Sequence, residues 1–562
     1  MHDVIILCSL GSWFTPVAPE SKVVDLINSA VYNAFTVKLS SVQRGLVIVL
    51  AATILIGGVI FVNRILAGDA FTYEEAQHAL YGMWLTRDVK TLDWGTFWYD
   101  THRQMAWPFL HSWLQSLFFL VFGVGYVSAR LLSLVLFMAT VVMMYFFSNQ
   151  VCGKSGWKIG ILACALALTS PIMLRFASEN MLEGLGAFLF LAAAYTYTVC
   201  EERKITLEYV FLALLIGLSM YTNYLYAYLI LPAFIMGTII KLWPLALEAV
   251  ELRLQGEEKA VRFIWWGYRK LIVMAVLLFL GGLWFSFSYS RKILLLYSSI
   301  FKYSGGVATE GLWQTLVYYP GVIVEKLTFS PWLGLLLLLS LFLPFVSNAY
   351  RWINKLFIYV WTVLLLLAFT IPAKAPQLLY IITPFILIIF SAVVFFVIDK
   401  VEAIKGQNKR WQEIMLLVLI LPSLIALPSL YGRLFPNQPP ENLIDVLKFF
   451  QAKVPQSASM ALPVHLERLN PEVVNFHFRD WQGAVLSDPQ LSEEELYEGA
   501  DYILCLEVDR GSFYQSAVTD ASLFRWNALA AEKEMSGQIQ PDAIQRFESI
   551  GVTAKVYRKI SM

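Results

Sequence analysis

Two adjacent carboxylates and a histidine follow the first long apolar run of the chain, in the segment FTYEEAQHAL at residues 71–80. A carboxylate can take a proton from an attacking hydroxyl group as a general base. If residues 72–85 are helical, Glu74 and His78 lie on one face at i, i+4 spacing, where His78 can orient the carboxylate or help to hold a divalent metal ion. Asp69, five residues before Glu74, is the competing base. The segment therefore predicts a site for proton transfer, which the neighbouring elements must position.

The composition places this site in a membrane protein. Of the 562 residues, 58% are hydrophobic and only 15% are charged, and the mean hydropathy is +0.62. Soluble domains carry about 25% charged residues. The net charge of +1 shows no basic excess, so nothing indicates a nucleic acid as a partner. The chain is therefore expected to be a polytopic α-helical protein surrounded by membrane lipids.

Apolar runs of about 20 residues, the length that crosses roughly 30 Å of hydrocarbon, predict about eleven transmembrane helices within a membrane domain at 43–430. These runs lie near residues 45–62, 127–147, 159–174, 181–199, 207–222, 224–241, 271–289, 330–346, 356–371, 379–398 and 412–430. The connections rich in Lys and Arg all fall on one side, which the positive-inside rule makes cytoplasmic. Residues 1–42 are then a cytoplasmic leader, and the C-terminus lies outside.

The same topology places the loop at 63–126, with its carboxylates, on the outer face of the membrane. An apolar piece at 106–123 is nearly long enough to cross, and we expect it to lie in or dip into the outer interface. The tail at 431–562 has 18 acidic and 12 basic residues. It combines a helical pattern, ENLIDVLKFFQAKV, with β-rich runs, SMALPV, ADYILCLEV and VTAKVYRKI. We therefore expect an extracytoplasmic α/β domain there.

Six weak motifs in a fixed order resemble a known family. They are YEEAQHAL, YDTHRQMAWPFLHSWLQSLFFLVFGVGYVSARLLSLV, RFASENMLEGLGAFLFLAAAY, GLSMYTNYLYAYLILP, LVYYPGVIVEKLTFSPWLGLLL and AKAPQLLYIITPF. Their order is similar to that in the GT-C membrane glycosyltransferases, within the branch of protein O-mannosyltransferases and bacterial lipid A aminoarabinose transferases. The resemblance covers roughly residues 45–400. It implies a GT-C fold and the transfer of a sugar from a polyprenyl-phosphate donor to an acceptor hydroxyl of a glycan, lipid or protein.

Such a transfer makes limited chemical demands. Phosphate is already a good leaving group, so no strong general acid is needed. The acceptor hydroxyl is a weak nucleophile, and a positioned carboxylate base contributes about 10²–10⁴-fold. A cation or a metal ion must stabilise the charge that develops on the departing phosphate. One direct displacement suffices, so inversion at the anomeric carbon is expected.

The resemblance assigns the carboxylates. In the family an Asp-Glu pair follows the first transmembrane helix, and its first acid is the proposed base; here Glu74 and Glu75 occupy that place, with a base one methylene longer. A second acidic position falls in RFASENMLE. Glu179 is the first choice there, with Glu183 one turn later as the alternative, and a one-residue shift would place Asn180 instead. These residues would position the acceptor or a metal.

The resemblance also implies the groups that bind the donor phosphate. Family members carry a Lys two residues before a Pro in the outer connection that here reads AKAPQ, which indicates Lys374. Arg175 can bind phosphate or pair with Glu179. Asn223 stands in YTNY where the family often has Lys, and Arg103 lies near a basic position of the aminoarabinose transferases, so it can compensate.

We therefore expect a glycosyltransferase of the bacterial cytoplasmic, or inner, membrane with its active site outside, because the chain lacks the large lumenal insertion of the eukaryotic O-mannosyltransferases. The rival predictions are a flippase or transporter of lipid-linked glycans and a non-catalytic GT-C homologue. Transporters place charges near the bilayer midplane and often contain inverted repeats. The apolar runs contain few ionisable residues and no half of the chain repeats the other, which favours the enzyme.

Overall fold

The structure is a computed structural model of the chain. The expected leader falls almost wholly outside the described residues, as do the expected crossing at 412–430 and most of that at 271–289. The described residues are 40–104, 107–203, 206–255, 274–279, 281, 307–308, 312–343, 354–371, 373–405, 432, 441–462, 468–487, 491–509 and 519–560.

Helices dominate the described part of the membrane domain. They are α1 (Ser41–Ile60), α2 (Tyr73–Thr91), α3 (Trp94–His102), α4 (Leu110–Phe122), α5 (Tyr126–Val151), α6 (Gly156–Leu168), α7 (Pro171–Ala177), α8 (Glu183–Arg203), α9 (Thr206–Met220), α10 (Tyr224–Leu254), α11 (Leu312–Lys326), α12 (Pro331–Ser340), α13 (Asn354–Phe369) and α14 (Thr383–Lys405). The short strands β1 (Val307–Ala308) and β2 (Ala373–Lys374) pair antiparallel before a 3₁₀ turn at Pro376–Ile382.

Among the described residues, three helical segments are long and apolar enough to cross a membrane: Ser41–Leu66, Tyr126–Val151 and Pro376–Lys400. Gly153–Leu168 and Pro171–Ala177 meet the same criterion only as a pair, bent by 67° at the break between them. Five further described helical segments are apolar but have only 10–17 residues. The polytopic helical class is confirmed, while the number of eleven crossings stays a prediction.

The loop between the first two long segments folds into helices α2, α3 and α4. Helix α2 begins at a capping box, in which the Thr72 hydroxyl accepts the Glu75 N–H and the Glu75 carboxylate accepts the Thr72 N–H. Gly82 lets α4 approach closely, because a Cβ atom there would lie 2.5 Å from Gln115 Cγ. At 1.5 Å per residue, the 13 residues of α4 span about 20 Å. This helix is therefore too short to cross the hydrocarbon layer alone, and its interfacial position stays a prediction.

The C-terminal domain contains a mixed five-stranded sheet and several helices. The described elements of the domain are α15 (Leu443–Lys453), β3 (Met460–Ala461), α16 (Pro471–His477), β4 (Val485–Leu486), α17 (Glu493–Glu498), β5 (Tyr502–Val508), α18 (Thr519–Met535), β6 (Ile539–Phe547) and β7 (Val552–Lys559). The strand order is β4-β3-β5-β7-β6. Strand β3 pairs parallel with β4 and β5, whereas β7 pairs antiparallel with β5 and β6. This topology confirms the predicted α/β class of the tail.

One hydrophobic cluster joins this domain to the outer loop. Phe71 and Phe119 from the loop share it with Phe450 and Phe476 from the domain, and all four side chains are fully buried. The rings of Phe71 and Phe476 lie 5.1 Å apart. Burial of one such side chain contributes about 1.5–3 kcal/mol. The C-terminal domain therefore packs firmly against the start of α2, where the predicted carboxylates lie.

Candidate active site

Glu75 lies at the centre of a buried network beneath the start of α2. Arg130, from the first turns of α5, donates from Nε to Glu75 Oε1 at 2.9 Å and from Nη2 to Oε2 at 3.2 Å. The backbone N–H of Asn180 donates to Oε1 at 3.0 Å, and that of Thr72 donates to Oε2 at the same distance. Both carboxylate oxygens are thus used within the protein, and the Glu75 side chain links the outer loop to α5 and to the segment before α8.

The electrostatics of Glu75 fit this linking position. Burial alone would raise the pKa of its carboxyl group, but the Arg130 guanidinium and the backbone hydrogen bonds outweigh burial and hold the pKa below its usual value. Glu75 is therefore ionised at neutral pH. Since it is only 1% exposed and its oxygens are already bonded, it is poorly placed to take a proton from an acceptor.

Asp69 joins the loop to the C-terminal domain. Its Oδ1 accepts the N–H of Leu443 at 3.0 Å and that of Ala70 at 2.7 Å. Leu443 is the first residue of α15, so Asp69 satisfies a backbone donor at a helix N-terminus of the C-terminal domain. Arg468 of that domain also donates to the Ala70 carbonyl at 3.1 Å. Asp69, the competing base, therefore lies in the contact between the outer loop and the C-terminal domain.

Glu74 occupies a different environment from its neighbour. Its side chain is only half-buried, and its carboxylate lies close enough to the Glu183 carboxyl group to interact with it electrostatically. Glu179 interacts with Glu183 in the same way. The structure therefore brings together three of the predicted acids, one from the start of α2 and two from the segment that leads into α8.

The second acidic segment contains one ion pair and one buried glutamate. Arg175 Nε lies 3.0 Å from Glu179 Oε1, at i, i+4 spacing, and its side chain is 62% exposed. Burial raises the pKa of Glu179, and the Arg175 guanidinium opposes that rise. Glu183 is 7% exposed, and its Oε2 has no hydrogen-bond partner in the described part of the chain. Asn180, the alternative residue, is held by Glu75, since its side-chain Nδ2 donates to the Glu75 carbonyl at 3.2 Å.

Lys374, a predicted phosphate ligand, caps a helix. Its ammonium Nζ donates to the carbonyl oxygens of Leu367 at 2.8 Å and Ala368 at 2.6 Å. A third bond goes to the carbonyl of Ile371. These carbonyls lie at the C-terminal end of α13, where a cation is favoured by the helix dipole. With 2% exposure, Lys374 can meet a phosphate only after it leaves these carbonyls.

Arg103 and Asn223 also make contacts within the protein. The Arg103 Nε lies 2.9 Å from Asp100 Oδ1, and its guanidinium carbon lies 3.9 Å from the centre of the Trp84 ring. The Asn223 side-chain oxygen accepts the N–H of Leu225 at 2.9 Å at the start of α10. Of the four predicted phosphate ligands, Arg175 is the one that combines proximity to the acids with high exposure.

His78 lies with a second histidine. Its ring centre is 5.2 Å from that of His111 and 5.6 Å from that of Trp107. Burial lowers the pKa of His78 well below its usual value, with a smaller effect from His111, and burial lowers the pKa of His111 to about 4. Both imidazoles are therefore neutral at pH 7. Within the described ranges, no group of three or more His, Cys, Asp or Glu side chains is arranged to hold a metal ion.

Three features of this region were not predicted. Arg130 is a single charged residue at the start of the apolar run of α5, and such a residue is itself a signal for a buried ionic partner. Tyr380 interacts electrostatically with Glu183. Asp88 and Asp100 are two buried carboxyl groups that interact electrostatically. The spacing of residues in the sequence does not indicate the Tyr380–Glu183 and Asp88–Asp100 interactions, because the two residues of each pair come from separate elements.

The fold is similar to that of known membrane enzymes. The crystal structure of ArnT from Cupriavidus metallidurans bound to undecaprenyl phosphate matches with a TM-score of 0.55 at 11% identity, covering 91% of this chain and 97% of that one. ArnT from the same organism in the apo state matches with a TM-score of 0.54 at 12% identity, covering 92% and 98%. No curated protein sequence matches the chain.

Residues 106–247 also match the family model described as dolichyl-phosphate-mannose-protein mannosyltransferase. This range runs from the last part of the outer loop, through the second acidic segment, into α10. At such low identities the structural matches show the fold. The chain therefore has the fold of the GT-C membrane glycosyltransferases, as its ordered motifs predicted.

Proposed function

We propose that this protein is an integral membrane glycosyltransferase that moves a sugar from a polyprenyl-phosphate donor to an acceptor hydroxyl at the outer face of the cytoplasmic membrane. The fold and the partial match to a mannosyltransferase family support the class of reaction. The undecaprenyl phosphate bound by ArnT supports a lipid phosphate carrier. The observation that carries the proposal is the grouping of half-buried Glu74, at the start of α2, with Glu179 and Glu183 from the segment that leads into α8.

Glu74 is the proposed base. It differs from Glu75 and Asp69 because those two carboxylates hold the loop together, while Glu74 is partly open to solvent. It would accept the hydroxyl proton as the new glycosidic bond forms and the phosphate leaves from the opposite face, with inversion. A base of this kind contributes about 10²–10⁴-fold to the rate.

Arg175 is the proposed first contact for the donor phosphate. Its guanidinium is largely exposed and lies beside Glu179, within the same group of charges as Glu74. A guanidinium binds phosphate with two parallel hydrogen bonds, and it stabilises the charge that grows on the leaving group. It thereby supplies the positive charge that a divalent ion provides in metal-dependent transferases. Lys374, Arg103 and Asn223 would take part only after exchange of their present contacts.

The experiment is sugar transfer in proteoliposomes from a panel of radiolabelled undecaprenyl-phosphate hexoses and pentoses, with crude cell-envelope lipid, glycan and protein as acceptors. Wild type is compared with Glu74→Gln, which keeps size but removes basicity, and with Glu532→Gln, which alters an exposed acid of α18. We expect transfer by wild type and Glu532→Gln and loss of transfer in Glu74→Gln. Lack of transfer from every donor, with all acceptors present, would contradict the proposed function.

A further inference from the structure

Three buried polar atoms near the proposed base lack hydrogen-bond partners in the described part of the chain. They are Glu183 Oε2, Asn180 Oδ1 and the Tyr380 hydroxyl group. The three side chains are 7%, 0% and 0% exposed. A buried polar atom without a partner costs about 1–3 kcal/mol, and such atoms in native proteins usually meet water, an ion or a ligand.

These atoms belong to one neighbourhood although they come from separate parts of the chain. Tyr380, in the 3₁₀ turn before α14, interacts electrostatically with Glu183 at the start of α8. The Tyr380 ring lies 5.4 Å from that of Phe176 in α7, four residues before Asn180. Glu183 in turn interacts with Glu74, the proposed base. The orphan atoms therefore lie beside the group of acids where the donor would react.

The chemistry of the three atoms limits what they can bind. The carboxyl oxygen of Glu183 and the amide oxygen of Asn180 accept hydrogen bonds, whereas the phenol can both donate and accept. Sugar hydroxyl groups offer the same combination on neighbouring carbons. None of the three atoms carries a positive charge, so they do not suit the phosphate end of the donor, which favours cationic donors.

We propose that Glu183, Asn180 and Tyr380 form the subsite that binds the hydroxyl groups of the donor sugar, with Tyr380 as a specificity-determining residue. This inference rests on the proposed function. It gives the unpartnered atoms their partners in the donor complex, and it assigns selection of the sugar to a residue far along the chain from the catalytic loop.

The test measures binding, so it does not depend on turnover. The wild-type protein in nanodiscs is titrated with undecaprenyl phosphate and with a panel of undecaprenyl-phosphate hexoses and pentoses, and the ratio of the two affinities gives the contribution of the sugar. We expect at least one of these sugar lipids to bind more tightly than the bare phosphate. Tyr380→Phe should reduce that ratio about 3- to 10-fold, as expected for one neutral hydrogen bond, and leave undecaprenyl phosphate binding unchanged.

Tyr359→Phe is the matched control. Its hydroxyl group is also buried and without a partner in the described residues, but its ring packs against Phe190, Phe234 and Phe385 inside the helical domain. This variant should keep the full ratio. An unchanged ratio in Tyr380→Phe, an equal loss in both variants, or a wild type that gains no affinity from any hexose or pentose would overturn the subsite. If the sugar still increases the affinity of the wild type but the protein transfers no sugar to any acceptor, the proposed function is wrong and the subsite stands.

Discussion

The buried pair of Glu75 and Arg130 gives the most quantitative prediction. Both side chains are almost fully inaccessible, at 1% and 4% exposure, and the guanidinium uses two of its nitrogens on the carboxylate. Glu75→Gln removes the negative charge and leaves Arg130 buried without its counterion. Breaking one side of a buried pair costs about 3–5 kcal/mol. The unfolding equilibrium constant should therefore rise by roughly 10²- to 10⁴-fold.

The assay is thermal unfolding of detergent-purified protein, followed by fluorescence-detected size-exclusion chromatography. Glu75→Gln should lower the unfolding midpoint strongly. The double variant Glu75→Gln/Arg130→Met should recover much of the loss, because it removes the unpaired charge and keeps an apolar stem in its place. Glu179→Gln is the comparison, since an i, i+4 ion pair with a largely exposed partner, here Arg175, contributes only about 0.3–0.5 kcal/mol.

The pH dependence gives a second readout of the same pair. The folded-state pKa of Glu75 lies below its unfolded value, so its contribution to stability is present above the ordinary carboxyl pKa of about 4.3. That contribution is lost as the pH falls through the lower folded-state pKa. If Glu75→Gln is as stable as wild type at pH 7 but fails in sugar transfer, the reasoning is wrong and Glu75 acts in the chemistry.

Three further predictions follow from single contacts. Burial, and then Asp100, raise the pKa of Asp88 to about 6. The folded protein therefore binds this proton more tightly than the unfolded chain, and the free energy of unfolding should fall as the pH rises from about 4 to 6. Asp88→Asn should remove that pH dependence when thermal unfolding is measured at a series of pH values. Lys374→Met removes the side chain that caps α13, so it should lower the midpoint of thermal unfolding. Unchanged stability together with lost undecaprenyl phosphate binding would instead identify Lys374 as a phosphate ligand. Asp69→Ala should speed amide hydrogen exchange around Leu443 about 2- to 30-fold, as measured by mass spectrometry, because an acceptor at a helix N-terminus contributes about 0.5–2 kcal/mol. Unchanged exchange would argue against a docking role for Asp69.

Local patterns in the sequence were enough to predict much of the fold. The runs ADYILCLEV and VTAKVYRKI form β5 and β7, and ENLIDVLKFFQAKV forms α15, because alternation and helical spacing act over short distances. Strand β6 was not predicted, since Ile539 and Phe547 are buried at its ends while most positions between them are exposed. Its pairing with β7, rather than its own pattern, makes it a strand.

The roles of the site residues depend on distant partners that a single sequence does not reveal. Glu74 and Glu75 are adjacent and chemically identical, yet Arg130 and Asn180 engage only the second. The contact of Asp69 with Leu443 joins residues that lie 374 positions apart. The sequence could thus identify both adjacent acids as candidates. Only the fold distinguishes the acid that holds the loop together, Glu75, from the acid that is the proposed base, Glu74.

The most direct test of the central claim is the single-turnover rate of sugar transfer by Glu74→Gln with saturating undecaprenyl-phosphate sugar, compared with wild type. A lost general base predicts a rate about 10²–10⁴-fold lower with donor affinity and unfolding midpoint unchanged. A rate within a few-fold of wild type would contradict the assignment of Glu74 as the base.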